Sequence, residues 1–156
     1  MAIEDAKQAM ADTLTDVLQN MTFAFVESPE DETLPTDESE FLHATIKFTG
    51  PSSGEMGIAV SQDLCAELAA GILGLEPDED EVKESISDTL GELLNVTCGN
   101  FITTMFGENQ LVSQSIPQVQ TLDSNGWKSL VARSETVKFM VDEVPLIAHV
   151  AVQEDR

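Results

Sequence analysis

The sequence predicts an α+β protein in which long helices pack on a mainly antiparallel sheet of about six strands. Three observations carry that expectation. Two long stretches repeat apolar residues at steps of three and four, as an amphipathic helix does. Several short apolar runs are bounded by Gly, Pro, Asn or acidic residues, as strands are. The two helical stretches also resemble one another, so the helix-plus-strands unit looks duplicated.

In chain order, Ile3, Ala6, Met10, Leu14, Val17, Leu18 and Met21 form one apolar stripe, with Asp12, Asp16 and Gln19 opposite, which predicts a helix over Ile3–Met21. The short apolar stretch Thr22–Val26 leads into Glu27–Glu40, rich in acid and Pro and without a period, an exposed loop. Phe41–Phe48 and Met56–Val60 read as a hairpin around Gly50-Pro51-Ser52-Ser53-Gly54. Ser61 is placed to cap a helix through Cys65, Leu68 and Ile72 to about Gly74. The acidic connector Glu76–Glu81 precedes a long helix from about Val82 to Met105, closed by Gly107. Beyond it Leu111–Leu122 reads as extended chain and Ser124-Asn125-Gly126 as a turn. Leu130–Val141 and Val144–Val152 read as two further strands separated near Asp142-Glu143.

At an offset of 76 residues, Ala11–Phe25 matches Ser87–Phe101 in Asp, Thr, two Leu and the final Phe. The expected organisation is one domain over residues 1–156, with repeats at about 1–60 and 82–152 and the helices covering one face of a shared sheet.

Seven Lys and Arg against 29 Asp and Glu give a formal charge of −22. Such a chain has no basic surface for phosphate backbones or anionic lipid, so nucleic-acid and membrane partners are disfavoured. No apolar run reaches the ~20 residues of a membrane span and the start does not read as a secretion signal, so a cytoplasmic location is expected. Cys65 and Cys98 show no CxxC spacing and read as small buried apolar residues. His43 and His149 sit in strand-like runs outside any ligand-spaced cluster, so no metal site is expected.

The second long helix carries the candidate chemistry. Ile86, Leu90, Leu93, Leu94, Thr97 and Phe101 define its inward face, and Asp88, Glu92, Asn95 and Gly99 follow one another opposite at spacings of four, three and four. A solvated acidic face is the plain explanation, but stability would not select this one. Asp88 and Glu92 repel one another at i, i+4, and glycine costs about 1 kcal/mol in a helix relative to alanine.

This pattern, DxxxExxN followed by Gly99-Asn100 and by Pro117 downstream, resembles the signature of the CheX/CheC family of chemotaxis phosphatases. The single complete motif brings the chain nearer to CheX, which has one motif and forms dimers, than to CheC, which has two. The resemblance implies a protein-aspartyl-phosphate phosphatase that acts on a CheY-like response regulator. Glu92 and Asn95 would be the catalytic residues, with Asp88, Gly99, Asn100 and Pro117 at the partner-binding surface.

A carboxamide has both a donor and an acceptor, so Asn95 can hold a water in line with the phosphoryl group, and phosphoryl transfer asks mainly for such placement. Glu92 is an anion, so its partner must be a cation; by resemblance this is the receiver's active-site Lys. Gly99 has no side chain to hold a partner away. The chain is expected to have no cofactor of its own, and by resemblance the receiver's acids hold the Mg²⁺.

In the first half Asp12, Asp16 and Gln19 stand where Asp88, Glu92 and Asn95 stand, but Phe23 and Ala24 replace Gly99 and Asn100, which counts against a second active site. A homodimer is implied, and the apolar run Val144–Val152 suits either core burial or edge pairing with a second subunit. Two alternatives stand beside the phosphatase: a non-catalytic acidic docking module for a flagellar-switch or response-regulator protein, and an acidic structural subunit.

Overall fold

The computed structural model describes residues 3–108 and 111–154. Its elements run α1 (Ile3–Thr22), β1 (Val26–Glu27), β2 (Phe41–Thr49), β3 (Ser52–Ser61), α2 (Gln62–Leu73), α3 (Asp80–Phe106), β4 (Ser113–Gln114), β5 (Gln118–Leu122), α4 (Ser124–Val131), β6 (Thr136–Val141) and β7 (Val144–Glu154). All strand pairs are antiparallel. The seven strands form one sheet in the order β1-β6-β7-β3-β2-β4, with β5 also paired to β2. That order is unchanged when β1, β2 and β3 are exchanged for β4, β6 and β7.

The core lies between the sheet and the long helices. Period-2 alternation sends Leu42, Ala44, Ile46 and Phe48 of β2, and Leu146, Ala148 and Val150 of β7, into it. Met10, Leu14, Val17 and Leu18 of α1 meet them, as the stripe predicts, and so do Leu90, Leu93, Leu94 and Phe101 of α3. The side chain of Ile3, expected on the same stripe, lies outside the described residues. Ser61 caps α2, its hydroxyl accepting from the Leu64 N–H at 3.2 Å, and Gly74 ends that helix in the left-handed region at φ 69°. Gly107 ends α3 at φ 92°. Cys65 and Cys98 are free and buried, and burial pushes both thiols up to about 12.

Four expectations are corrected. The segment Ser124-Asn125-Gly126 is the first turn of α4 rather than a turn between strands, because Asp123 caps it by accepting from the Gly126 N–H at 2.8 Å. Leu130 therefore belongs to α4, and the strand begins at Thr136. The helices do not all lie on one face: Trp127 and Leu130 of α4 pack on the other, with Phe41, Ala59, Ile147 and Leu34 of the acidic loop. The fourth concerns Ser52-Ser53, read as part of a turn. They are strand because β7 pairs along them, and Gly54 is required there, since a Cβ would stand 2.5 Å from the Ala151 carbonyl oxygen.

Most of the run Val144–Val152 is interior: β3 pairs along it from Leu146 onward and β6 from Val144 to His149, and Leu146, Ile147, Ala148 and Val150 are buried. Among the described residues no helix is long and apolar enough to cross a membrane.

On the α4 side of the sheet His43 and His149 meet with Nε2 atoms 2.8 Å apart. Gly57 on the strand between them makes this possible, because a Cβ there would overlap the His149 ring. Burial holds the His149 pKa down to about 4, helped by repulsion from His43 and Arg133. His43 is lowered too, by burial first and Arg133 second, against an opposing pull from Glu55.

Both shifts favour the neutral imidazole in the fold, whereas the unfolded chain protonates these groups below about pH 6.5. Stability should therefore be intact above that pH and be lost as pH falls toward about 4, with His149 alone contributing a slope of about 1.4 kcal/mol per unit across the window. Urea midpoints at pH 7 and pH 5 check this. The drop should be smaller in His149→Gln than in the wild type, and equal drops contradict it.

Candidate functional site

Leu90, Leu93, Leu94, Thr97 and Phe101 bury one face of α3 completely, which turns the opposite face to solvent. Asp88, Glu92 and Asn95 are exposed on it, followed by Gly99, which is half-buried, and the exposed Asn100. Among the described residues neither Asp88 nor Glu92 forms an ion pair. Two uncompensated carboxylates one turn apart make this end of the face electronegative and open to a cation from outside.

The chain that follows α3 forms the second wall. It returns along the edge of β2, where Phe48 pairs with Gln114 and Thr49 with Ser113, and continues as β5 with Thr45 opposite Gln118. Between the two strands Ser115 is tied twice to Lys47: its N–H donates to the Lys47 carbonyl at 2.8 Å, and its Oγ accepts from the Lys47 N–H at 2.9 Å. Pro117 falls after this tie, outside the ladder, where its missing N–H breaks no strand pairing.

Helix and returning chain enclose a cleft of about 740 Å³ lined by Asp88, Gly91, Glu92, Asn95, Gln114 and Pro117, among others. Pro117 reaches the motif helix at Gly91, where a Cβ would lie 3.6 Å from the Pro117 Cβ and 3.9 Å from Val119 Cγ2. Across the cleft Gln114 Nε2 donates to Asn95 Oδ1 at 3.2 Å and to the Asn95 carbonyl oxygen at 3.3 Å. Ile116, beside Pro117 on the lip, is 86% exposed.

Of the residues singled out from sequence, Asp88, Glu92, Asn95 and Pro117 therefore line one cleft, whereas Gly99 and Asn100 continue the helix face beyond its lining. Gly91, Gln114, Ser115 and Ile116 were not singled out. A signal for Gly91 existed: two glycines eight residues apart on one helix face mark a line along which another segment can approach closely. Nothing in the sequence pattern marked Gln114, whose partner is set by strand register.

The first half is built differently. Asp12, Asp16 and Gln19 are exposed on α1, and Asp12 accepts from Gln8 Nε2 at 3.0 Å. The smaller hollow beside α1, about 260 Å³, is lined by Asp12 but not by Asp16 or Gln19. Then α1 stops at Thr22, and Phe23, at φ 61° and 81% exposed, stands at the position that the sequence match sets against Gly99. Phe25 is likewise 64% exposed, whereas its counterpart Phe101 is fully buried.

Fold and site together define an α+β protein that shows acid and amide side chains on an outward helix face, in a cleft walled by the returning chain. The chain belongs to the chemotaxis phosphatase CheX family, whose model matches residues 42–136. No curated protein matches it at a significant level.

Solved structures agree on the fold. A chemotaxis protein CheX from Vibrio vulnificus is 15% identical, with a TM-score of 0.71, 98% of this chain and 99% of the other being covered. A chemotaxis protein CheX from Desulfovibrio desulfuricans is 12% identical, with a TM-score of 0.67 and coverage of 96% and 99%. A chain of the CheX-CheY-BeF3-Mg²⁺ complex from Borrelia burgdorferi is 20% identical, with a TM-score of 0.65 and coverage of 94% and 97%.

Proposed function

We propose that this chain dephosphorylates the aspartyl phosphate of a CheY-like receiver domain, with Asn95 orienting the attacking water and Glu92 pairing with the receiver's Lys. The observation that carries the proposal is the placing of Glu92 and Asn95 one turn apart, both exposed, in one open cleft of a chemotaxis phosphatase fold. A CheX chain of the same fold has been captured with CheY, beryllium fluoride and Mg²⁺, a partner of the required kind.

The chemistry suits the residues. A loose phosphoryl-transfer transition state needs a water held in line and its charge neutralised, rather than a strong base. Asn95 supplies an acceptor for the water's proton and a donor for an oxygen of the transferring group. Glu92 would repel a bare phosphoryl group, so it works by holding the receiver's cation where the two surfaces meet. Among the described residues no group of three or more His, Cys, Asp or Glu is placed to hold a metal. In this proposal the Mg²⁺ belongs to the receiver's acids and this chain supplies the amide.

Asp88, at the outer end of the row, is assigned to docking, and Ile116 on the opposite lip gives the same surface an apolar contact. Gly99, Asn100 and Pro117 complete the assigned contact surface. The unit acting is one domain of two related halves with one active site, since α1 ends at Thr22 and the exposed Phe23 stands where the active row has Gly99. It works in the cytoplasm, where receivers are, and as a homodimer.

Reversing the charge at Glu92 tests the pairing. Glu92→Lys should weaken binding of beryllofluoride-activated receiver at least tenfold in a calorimetric titration, because an attraction becomes a repulsion. Unchanged affinity contradicts the assigned role. Tight binding by the wild type without any acceleration of phosphate release would identify a docking module instead.

A further inference from the structure

The cleft contains one amide that the motif does not. Gln114 stands on β4, held in register against Phe48 of β2, and reaches from there to the helix. Its NH₂ group donates to both oxygens of Asn95, side-chain Oδ1 at 3.2 Å and backbone O at 3.3 Å. We infer that Gln114 is a positioning residue that fixes the orientation of the Asn95 carboxamide before any partner arrives. The inference rests on the phosphatase proposal and adds a component to its site.

The orientation follows from donor and acceptor chemistry. An asparagine side chain has two faces of nearly equal shape, and turning it over exchanges Oδ1 for Nδ2. With Gln114 present the turned-over form would set one NH₂ group against another, so Oδ1 is selected to face Gln114. An oxygen has two lone pairs, so one remains for a water. The second bond, to the backbone oxygen, anchors Gln114 to a rigid part of the helix, so it does not simply follow Asn95 as that side chain moves.

The glycines of α3 fit the same role. Gly99 lies one turn beyond Asn95, and a Cβ there would come 3.4 Å from Gln114 Oε1, already at the limit of ordinary contact. A larger side chain would push Gln114 away from Asn95. Gly91, one turn before Asn95, lets Pro117 and Val119 approach the helix, which keeps the returning chain close enough for a glutamine to span. The absent side chain at position 99 thus makes room for this chain's own amide, besides leaving the face low.

Gln114→Met keeps the length and removes the donor, at an exposed position where folding is not at stake. Two readouts separate orientation from general structure. In the free protein, ¹⁵N relaxation of the Asn95 side-chain amide should show an ordered group in the wild type and a rotating one in Gln114→Met. In turnover of a phosphorylated receiver, kcat should fall about tenfold in the variant while KM stays within about twofold, the pattern of an interaction that acts on the transition state alone.

Gln114→Glu adds a third arm: its carboxylate cannot donate to either Asn95 oxygen, so the Asn95 amide should lose its order as in Gln114→Met, with kcat likewise low. Equal order of the Asn95 amide in wild type and Gln114→Met overturns the inference, as does lost order with unchanged kcat. If the wild type accelerates no receiver at all, the phosphatase proposal and the catalytic role of Gln114 fall together. In that event the relaxation data would still decide whether Gln114 orders Asn95.

Discussion

Asn95→Ala is expected to abolish acceleration of receiver dephosphorylation while leaving fold and receiver binding in place. The side chain is exposed on a helix whose opposite face carries the packing, so its removal creates no cavity; alanine is in fact the better helix former. What disappears is the group proposed to hold water against the acyl phosphate. Positioning in this sense is worth several powers of ten in rate, so the variant should return the receiver to its own rate of hydrolysis. Glu92 and Asp88 remain, so affinity for beryllofluoride-activated receiver should change by less than about threefold, a difference of roughly 0.6 kcal/mol. Stopped turnover with retained binding is the expected signature, and turnover that continues at the wild-type rate contradicts the mechanism.

The second large effect concerns stability. Phe101→Ala is expected to remove about 3–5 kcal/mol from the folding free energy, because Phe101 is fully buried and meets the Phe48 ring at 6.1 Å between centroids, tilted by 56°. That contact ties α3, and hence the site, to β2. Against a typical total of 5–15 kcal/mol the loss is severe. The residue matched to it in sequence gives the control: Phe25 is 64% exposed, so Phe25→Ala should stay within about 0.5 kcal/mol. Urea denaturation of the two variants checks both. Similar losses at the two positions contradict the burial difference on which the unequal halves depend.

That difference also marks how far the sequence could be read. The long helices were legible because the stripes through Leu14 and Leu90 follow their own period over several turns, and the caps at Ser61, Gly74 and Gly107 act within a few residues of the chain. The row Asp88, Glu92, Asn95 was legible for the same reason. Phe25 and Phe101 were matched as letters, but one falls past the end of its helix and the other inside it, a consequence of Phe23 taking a left-handed conformation. Ser124-Asn125-Gly126 carried turn chemistry, yet the Asp123 cap and the apolar pair Trp127 and Leu130, which the sheet buries, make it helical.

What remained hidden depends on strand register. Gln114 meets Asn95 because β4 pairs with the end of β2, and no local pattern announces a pairing between segments more than sixty residues apart. The same holds for the two histidines, which are separated by 106 positions and joined through the space left by Gly57. Local periodicity placed the motif on the surface; long-range pairing built the second wall of its cleft.

The most direct measurement is the rate of phosphate release from a panel of phosphorylated CheY-like receivers, with and without catalytic amounts of this protein. The account predicts that at least one receiver loses its phosphoryl group faster in proportion to the protein added, and that the gain vanishes with Asn95→Ala. Unaltered release from every receiver, by a protein shown to be folded and to bind one of them, would contradict it.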